Sequence, residues 1–252
     1  MNISTPLVSQ IPSLRNLWKE AFGDNDTFLD LFFKTAFDPK RCRCITKNDD
    51  VLAALYWFEC EQNEHSIAYI YAVATAVSHR GQGLCRKLMA DTHQHLAEQG
   101  YESTILVPGN PELFHFYEKM GYQTGSCLRK FECEANVEEL FLLPITKEEY
   151  ASLRKTLLPP NSIIQEKENL DFLNTQANFY MGPGILFTAC LEKSSLSVIE
   201  LLGDISKAPS IVYSLGYKKG TFRTPGHNTP FTMYYPLQKR STPPSYFAFA
   251  FD

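Results

Sequence analysis

The stretch from Ile67 to Gln99 constrains this chain more than any other. Ile67 to Val77 is apolar with several β-branched residues, and it runs straight into Arg80-Gly81-Gln82-Gly83-Leu84-Cys85, from which Leu84 to Gln99 continues with the pattern of a helix. A strand, a tight turn and a helix start, in that order, make an anion site. The first amides of a helix have no intrahelical partner and carry the positive end of its dipole. Gly81 and Gly83 have no Cβ to hold a ligand away from the backbone. Spacing excludes two common phosphate-binding patterns: the dinucleotide fingerprint needs a third glycine where Arg86 stands, and no Gly-Lys-Ser/Thr follows as a P-loop requires.

What remains, R-x-x-G-x-x ahead of an amphipathic helix, resembles motif A of the GNAT N-acetyltransferases, R/Q-x-x-G-x-G/A. Arg80 and Gly83 match, and the sequence departs from the family at Cys85, a small residue where the family has Gly or Ala. Beyond a strand at Glu102 to Val107, the run from Asn110 through Tyr117 to Gly121-Tyr122 resembles the family's motif B. Periodicity agrees. Helices are expected at Ser9 to Phe22 and after an Asp26 cap, then strands at Arg43 to Thr46, Val51 to Glu61 and Ser66 to Val77, then helix, strand, helix. The expected class is α/β: a GNAT fold with a mixed, mostly antiparallel central sheet flanked by helices over residues 1–134, followed by a second, degenerate GNAT-like α+β half over residues 135–252.

That second half is read from a capping-box helix beginning at Thr146, a stop at Pro159-Pro160, a short helix at Leu170 to Ala177, strands at Gly184 to Glu192 and Ser195 to Leu202, and a helix near Ser206 to Leu215. Gly216-Tyr217 echoes Gly121-Tyr122. An unrelated α+β domain is the alternative. Where a phosphate loop would stand, the chain has Leu202-Gly203-Asp204-Ile205, and an aspartate repels a pyrophosphate, so this half should not hold coenzyme A. Tyr246 to Asp252 alternates aromatic and small residues like a buried strand, with Phe231 to Pro236 as its expected neighbour.

The resemblance implies an acetyl-CoA-dependent N-acetyltransferase that moves an acetyl group directly to a primary amine of a small molecule or peptide. Pantetheine would lie in a splay between the strands Ser66 to Val77 and Glu102 to Val107, against Val73, Ala74 and Thr75. The pyrophosphate would sit on Arg80, Gly81, Gln82, Gly83, Leu84, Cys85 and Arg86, and Asn110 would meet the pantetheine arm. Tyr117 matches the general-acid tyrosine. For the acceptor and its deprotonation, Glu59, Glu61, Tyr69 and Tyr71 are candidates, with His65 as a further base and Phe32, Phe33 and Phe37 as pocket wall. The layout also resembles tandem-GNAT aminoglycoside acetyltransferases, in which a terminal carboxylate enters the acceptor site; this implies a place for Asp252 there. A non-catalytic acyl-CoA-binding or regulatory module is the other reading.

Composition narrows the partners. A net charge of −4 gives no general attraction to nucleic acid or anionic membrane. Apolar runs such as Val51 to Phe58 are too short to span a bilayer, and Met1 to Ile11 lacks a signal-peptide pattern, so a cytoplasmic protein is expected. Seven cysteines without a C-x-x-C pair fit a reducing compartment, and Cys42 and Cys44, sharing a strand face, have no further ligands at metal-site spacing, so no metal is expected. A homodimer is open.

Overall fold

A computed structural model describes residues 1–251, which divide into two compact units. Unit 1 comprises Met1–Gln123 and Met233–Thr242; unit 2 comprises Thr124–Thr232 and the residues from Pro243 onward. The sequence reading divides the chain after Glu134, whereas the compact units are interleaved. One strand from late in the chain belongs to the first sheet, and Cys127–Glu134 belongs to the second.

In chain order unit 1 contains β1 (Asn2–Ser4), α1 (Ile11–Phe22), α2 (Asp26–Thr35), β2 (Cys42–Lys47), β3 (Asp50–Gln62), β4 (His65–Thr75), α3 (Leu84–Glu98), β5 (Ser103–Leu106) and α4 (Pro111–Glu118). A two-residue β6 (Gln123–Thr124) follows. Unit 2 continues with β7 (Cys127–Glu134), β8 (Leu143–Ile145), α5 (Lys147–Leu157), α6 (Glu168–Leu173), β9 (Asn178–Gly182), β10 (Ile185–Leu191), β11 (Leu196–Gly203), α7 (Ala208–Ser214), β12 (Lys219–Pro225) and β13 (Thr229–Pro230); β14 (Met233–Pro236) returns to unit 1.

The two sheets have the same plan. The first runs β1-β2-β3-β4-β5-β14-β6 and the second β13-β7-β12-β11-β10-β9-β8. Each carries a parallel pair, β4 with β5 and β11 with β12, flanked by antiparallel neighbours. In the first sheet the strand beside β5 is β14, paired from Met233↔Leu106 to Pro236↔Ser103. Phe231 to Pro236 therefore does not pair with the C-terminal segment as the sequence suggests. Tyr246–Phe251 is buried but forms no ladder strand: Ile163 N–H donates to the Tyr246 carbonyl (2.9 Å), and the Gln165 side chain bonds both the N–H and the C=O of Phe249.

The two faces of the first sheet bury different things. On one, Leu84, Leu88, Met89 and Leu96 of α3 pack on Leu55, Trp57, Ala68 and Ile70. On the other, α1 and α2 bring Trp18 and Phe32 against Tyr56 and Tyr71, with ring centroids 4.7–5.9 Å apart. Asn25, not Asp26, caps α2: it has extended backbone angles, and its side chain accepts from the Phe28 N–H. Thr146 and Glu149 form the expected capping box at α5.

Candidate active site

β4 and β5 pair only from Ile67↔Ser103 to Ile70↔Leu106, yet β4 continues to Thr75. Past Ile70 the β5-facing edge of β4 has no strand beside it, so the main-chain groups of that edge along Val73 to Thr75, apart from the Thr75 carbonyl that accepts from Arg80 Nε, have no strand partner. A bulge adds to this. Tyr56 pairs with Tyr71 and Ala54 with Ala74, so Ala72 and Val73 stand opposite Leu55 alone, with Ala72 at φ +47°. Positive φ in a non-glycine residue costs about 1 kcal/mol or more, and such strain is concentrated beside functional sites. Nothing in the sequence signals the bulge, since alanine has no preference for that conformation.

The chain then turns through Arg80 to Gly83. Gly81 and Gly83 have φ of +75° and +74°, and a Cβ at either would meet no atom within 4 Å; it would project into open space before the helix. Gly83 is the N-cap of α3 and offers no side chain to the first amides. Arg80 Nε donates to the Thr75 carbonyl at 3.1 Å, bracing the turn against the strand end, and Gln82 reaches the Ser78 carbonyl at 3.4 Å.

Bulge, turn and α4 enclose one cavity of about 530 Å³. Val73, Ala74 and Thr75 line it from β4; Arg80, Gly81, Gly83, Leu84, Cys85 and Arg86 line it from the turn and α3. Tyr117 closes it from α4. Its ring is 7 % exposed, and among the described residues its hydroxyl makes no hydrogen bond. Burial, with a smaller contribution from nearby Cys85, raises the pKa of the hydroxyl well above the usual phenol range. Burial likewise pushes the Cys85 thiol up to about 11.

The remaining expected residues are elsewhere. Gln82 is outside the cavity lining. So is Asn110, whose side chain caps α4 by accepting from the Leu113 N–H at 3.1 Å. Glu59 faces the α3 side of the sheet, where the Tyr101 hydroxyl donates to it at 3.3 Å, because β3 side chains alternate and Phe58 takes the other face. Glu61 lies opposite Ser66 at the far end of the β3–β4 hairpin, and His65 is 3.6 Å from Glu102. Tyr69, Tyr71 and Phe33 belong to the aromatic cluster under α1 and α2. Asp252 lies outside the described residues.

Six lining residues were not anticipated: Ala21, Phe22, His79, Leu113, Phe116 and Met120. Helical spacing could have supplied Leu113 and Met120, which stand four before and three after Tyr117 on its face. No local signal ties Ala21 and Phe22 to this cavity. Among the described residues no helix is long and apolar enough to cross a membrane, and no cluster of three His, Cys, Asp or Glu side chains has metal-site geometry.

Residues 5–125 match the family model described as an acetyltransferase (GNAT) domain. No curated protein matches the chain significantly. Among solved structures, a GCN5-related N-acetyltransferase from Anabaena variabilis superposes with a TM-score of 0.76 at 17% identity, over 94% of this chain and 73% of that one. A GCN5-related N-acetyltransferase from Kribbella flavida gives 0.72 at 14%, over 93% and 70%. A putative acetyltransferase from Pyrococcus horikoshii gives 0.63 at 8%, over 98% and 93%. At such identities these are likenesses of fold, and they run through both sheets. Residues 5–125 are therefore a GNAT acetyltransferase domain, of a family whose acyl donor is acetyl-CoA.

Proposed function

We propose that this protein transfers the acetyl group of acetyl-CoA to a primary amine, in one step within a ternary complex, with Tyr117 as the general acid. The observation that carries this reading is the Tyr117 hydroxyl: buried, without a protein hydrogen-bond partner, and lining the same cavity as the uncapped start of α3.

The residues present fit acetyl-CoA. Two αL glycines and the first amides of α3 suit a pyrophosphate, Arg86 adds positive charge, and the open edge of β4 at Val73 to Thr75 suits the amides of a pantetheine arm. Bound there, the group supplies an acetyl thioester. Main-chain N–H groups near Thr75 would oppose the negative charge that develops on the acyl oxygen. The raised pKa keeps the Tyr117 hydroxyl protonated across the working pH range, so it is available as a donor to the departing thiolate and not as the base. Neither glutamate expected as a base lines the cavity, which favours an acceptor amine that loses its proton to water. Calorimetric titration with acetyl-CoA, followed by thiol release on a panel of amines, tests the reading. Binding with thiol release supports it; binding without release from any amine overturns it in favour of a binding module.

A further inference from the structure

α4 and α7 end on the same turn. The Gly121 N–H donates to the Glu118 carbonyl at 2.9 Å and the Tyr122 N–H to that of Tyr117 at 3.2 Å; in unit 2 the Gly216 N–H donates to Tyr213 at 2.9 Å and the Tyr217 N–H to Val212 at 3.0 Å. Both glycines have positive φ, +92° and +79°. Such a closure is accompanied by side-chain contact between the residue after the glycine and the one whose carbonyl it takes. At α4 that contact joins two tyrosines: the Tyr122 and Tyr117 rings meet edge to face, 5.7 Å apart and inclined at 63°. At α7 the second member is Val212, which has no hydroxyl.

The closing tyrosines differ in what holds them. Tyr217 is half-buried, and its hydroxyl donates to the Glu192 carbonyl at 2.8 Å. Tyr122 is buried, and its hydroxyl is 2.8 Å from His93 Nε2 on α3 and 2.8 Å from Thr104 Oγ1 on β5, both buried as well. Behind His93 the Tyr235 ring of β14 is stacked at 4.1 Å, and the same ring lies so close to Gly121 that a Cβ there would meet it at 3.0 Å. Elements α3, β5 and β14 therefore converge on the end of α4. A phenylalanine at position 122 would bury the same ring with no polar partner to find. The hydroxyl adds two directional bonds, and a satisfied buried network specifies one arrangement where apolar packing tolerates several.

What this arrangement holds in place is Tyr117. Its hydroxyl has no hydrogen-bond partner among the described residues, so its direction is set by its ring contacts and by the seat of α4. α4 has only eight residues, a length that is not rigid without tertiary support. Tyr122, His93 and Thr104 are all outside the cavity lining, so an effect of theirs on a reaction in the cavity has to pass through another residue. We propose that Tyr122, clamped by His93 and Thr104, is a positioning residue that aims the Tyr117 hydroxyl into the cavity. The proposal rests on Tyr117 being the general acid. A proton donor has to reach the sulfur at hydrogen-bond distance in the transition state, and a displacement of about 1 Å costs up to the order of 10²-fold in rate.

The test has two arms on the full chain. In the first, tyrosine is isotope-labelled at Cζ, and the Tyr117 resonance is identified by its loss in Tyr117→Phe. With acetyl-CoA bound, the wild-type resonance should be single and sharp. In Tyr122→Phe and in Thr104→Val it should split or broaden, and Thr104→Ser, which keeps the hydroxyl, should restore it. Thr104→Val decides this arm by itself if Tyr122→Phe does not fold, and an unaltered Tyr117 resonance in the folded variants overturns the proposal. The second arm follows thiol release with the most active primary amine of the panel. Tyr122→Phe should lower kcat roughly tenfold with KM and the acetyl-CoA dissociation constant unchanged, and in the Tyr117→Phe background the same substitution should lower kcat no further. An equal loss in both backgrounds, or none in either, overturns the proposal and leaves Tyr122 a core residue. Full turnover by Tyr117→Phe alone is a different result, which overturns the general-acid reading itself; no thiol release with any amine overturns acetyl transfer.

Discussion

After β4 the chain reaches its helix through Gly81 and Gly83, both at positive φ, and no side chain caps the amides that open α3. After β11 it reaches α7 through Gly203 and Asp204, and the Asp204 carboxylate accepts from the Ser206 N–H at 3.0 Å and from its hydroxyl at 2.6 Å. The strand edges differ in the same sense. Past the parallel pairing of β4 with β5, the edge at Val73 to Thr75 faces the cavity, whereas past that of β11 with β12 the Thr224 hydroxyl donates to the Leu201 carbonyl at 2.7 Å. One strand–turn–helix layout thus appears twice. In the first no side chain meets the amides that open the helix; in the second Asp204 caps the short 3-10 turn ahead of α7 and puts an anion into it. Hydrogen bonding to Ser206, side chain first and backbone second, holds the Asp204 carboxyl below its usual range, so the charge persists there at neutral pH.

The largest effect that would sharpen this contrast is on the reaction. Tyr117→Phe removes only the hydroxyl proposed above as the proton donor. The expected loss in kcat is on the order of 10²–10⁴, with the acetyl-CoA dissociation constant nearly unchanged. Full turnover by the variant would make Tyr117 a packing residue and return thiolate protonation to water.

The cores differ as the turns do. Unit 2 buries an ion pair: Arg154 donates to both Glu200 oxygens at 2.7 and 3.0 Å, with Tyr150 also bonded to Glu200 and Phe249 stacked under the guanidinium. Glu200→Gln leaves the arginine charged and only partly satisfied, at an expected cost of about 3–5 kcal/mol in chemical denaturation. It should leave acetyl-CoA affinity unchanged under native conditions. A parallel loss of affinity would show that the second core supports the first cavity.

Unit 1 instead buries a neutral base. His93 is bonded to the Tyr122 hydroxyl at 2.8 Å and stacked on Tyr235, and burial lowers its pKa to about 4. The unfolded chain binds this proton from pH ~6.5 downward and the folded one only near pH ~4, so stability falls as the solution is acidified across that window, by on the order of 3 kcal/mol. In His93→Gln that limb of the stability profile should flatten. An unchanged acid limb would assign the titration to another group.

The smallest effect concerns the built-in anion. Asp204→Ala removes the cap at its turn and should give a small drop in melting temperature. It should not create a second acetyl-CoA site, because Thr224 still occupies the Leu201 carbonyl. A second site in this variant would mean that Asp204 alone separates the two halves.

The parts of the fold and site that were legible in the sequence are those set by local chemistry. Gly81 and Gly83 announce the turn because glycine alone tolerates their backbone angles cheaply, and the strands and helices of unit 1 lie within a few residues of their expected bounds because periodicity reports burial. What local chemistry does not encode is partner choice between distant segments. Met233–Pro236 reads as a strand, but nothing in it says that Ser103–Leu106 is the neighbour; Glu132 to Val137 reads as a polar connection because β7 alternates buried-side and charged residues as a strand with one wet face does. Glu59 falls outside the cavity lining because a one-residue step along β3 decides which face it takes, and no local signal marks Phe22 because α1 reaches the cavity only through tertiary packing.

The central claim is that the chain has one acetyl-CoA site and that the turn at Gly83 makes it. Isothermal titration of the full chain with acetyl-CoA, alongside Gly83→Asp, tests this most directly. The substitution puts a side chain on a φ of +74° and a negative charge into the cradle before α3. The account predicts one site per chain in the wild-type protein and no measurable binding in the variant with its fold retained. Two equivalent sites, or undiminished binding by Gly83→Asp, would contradict it.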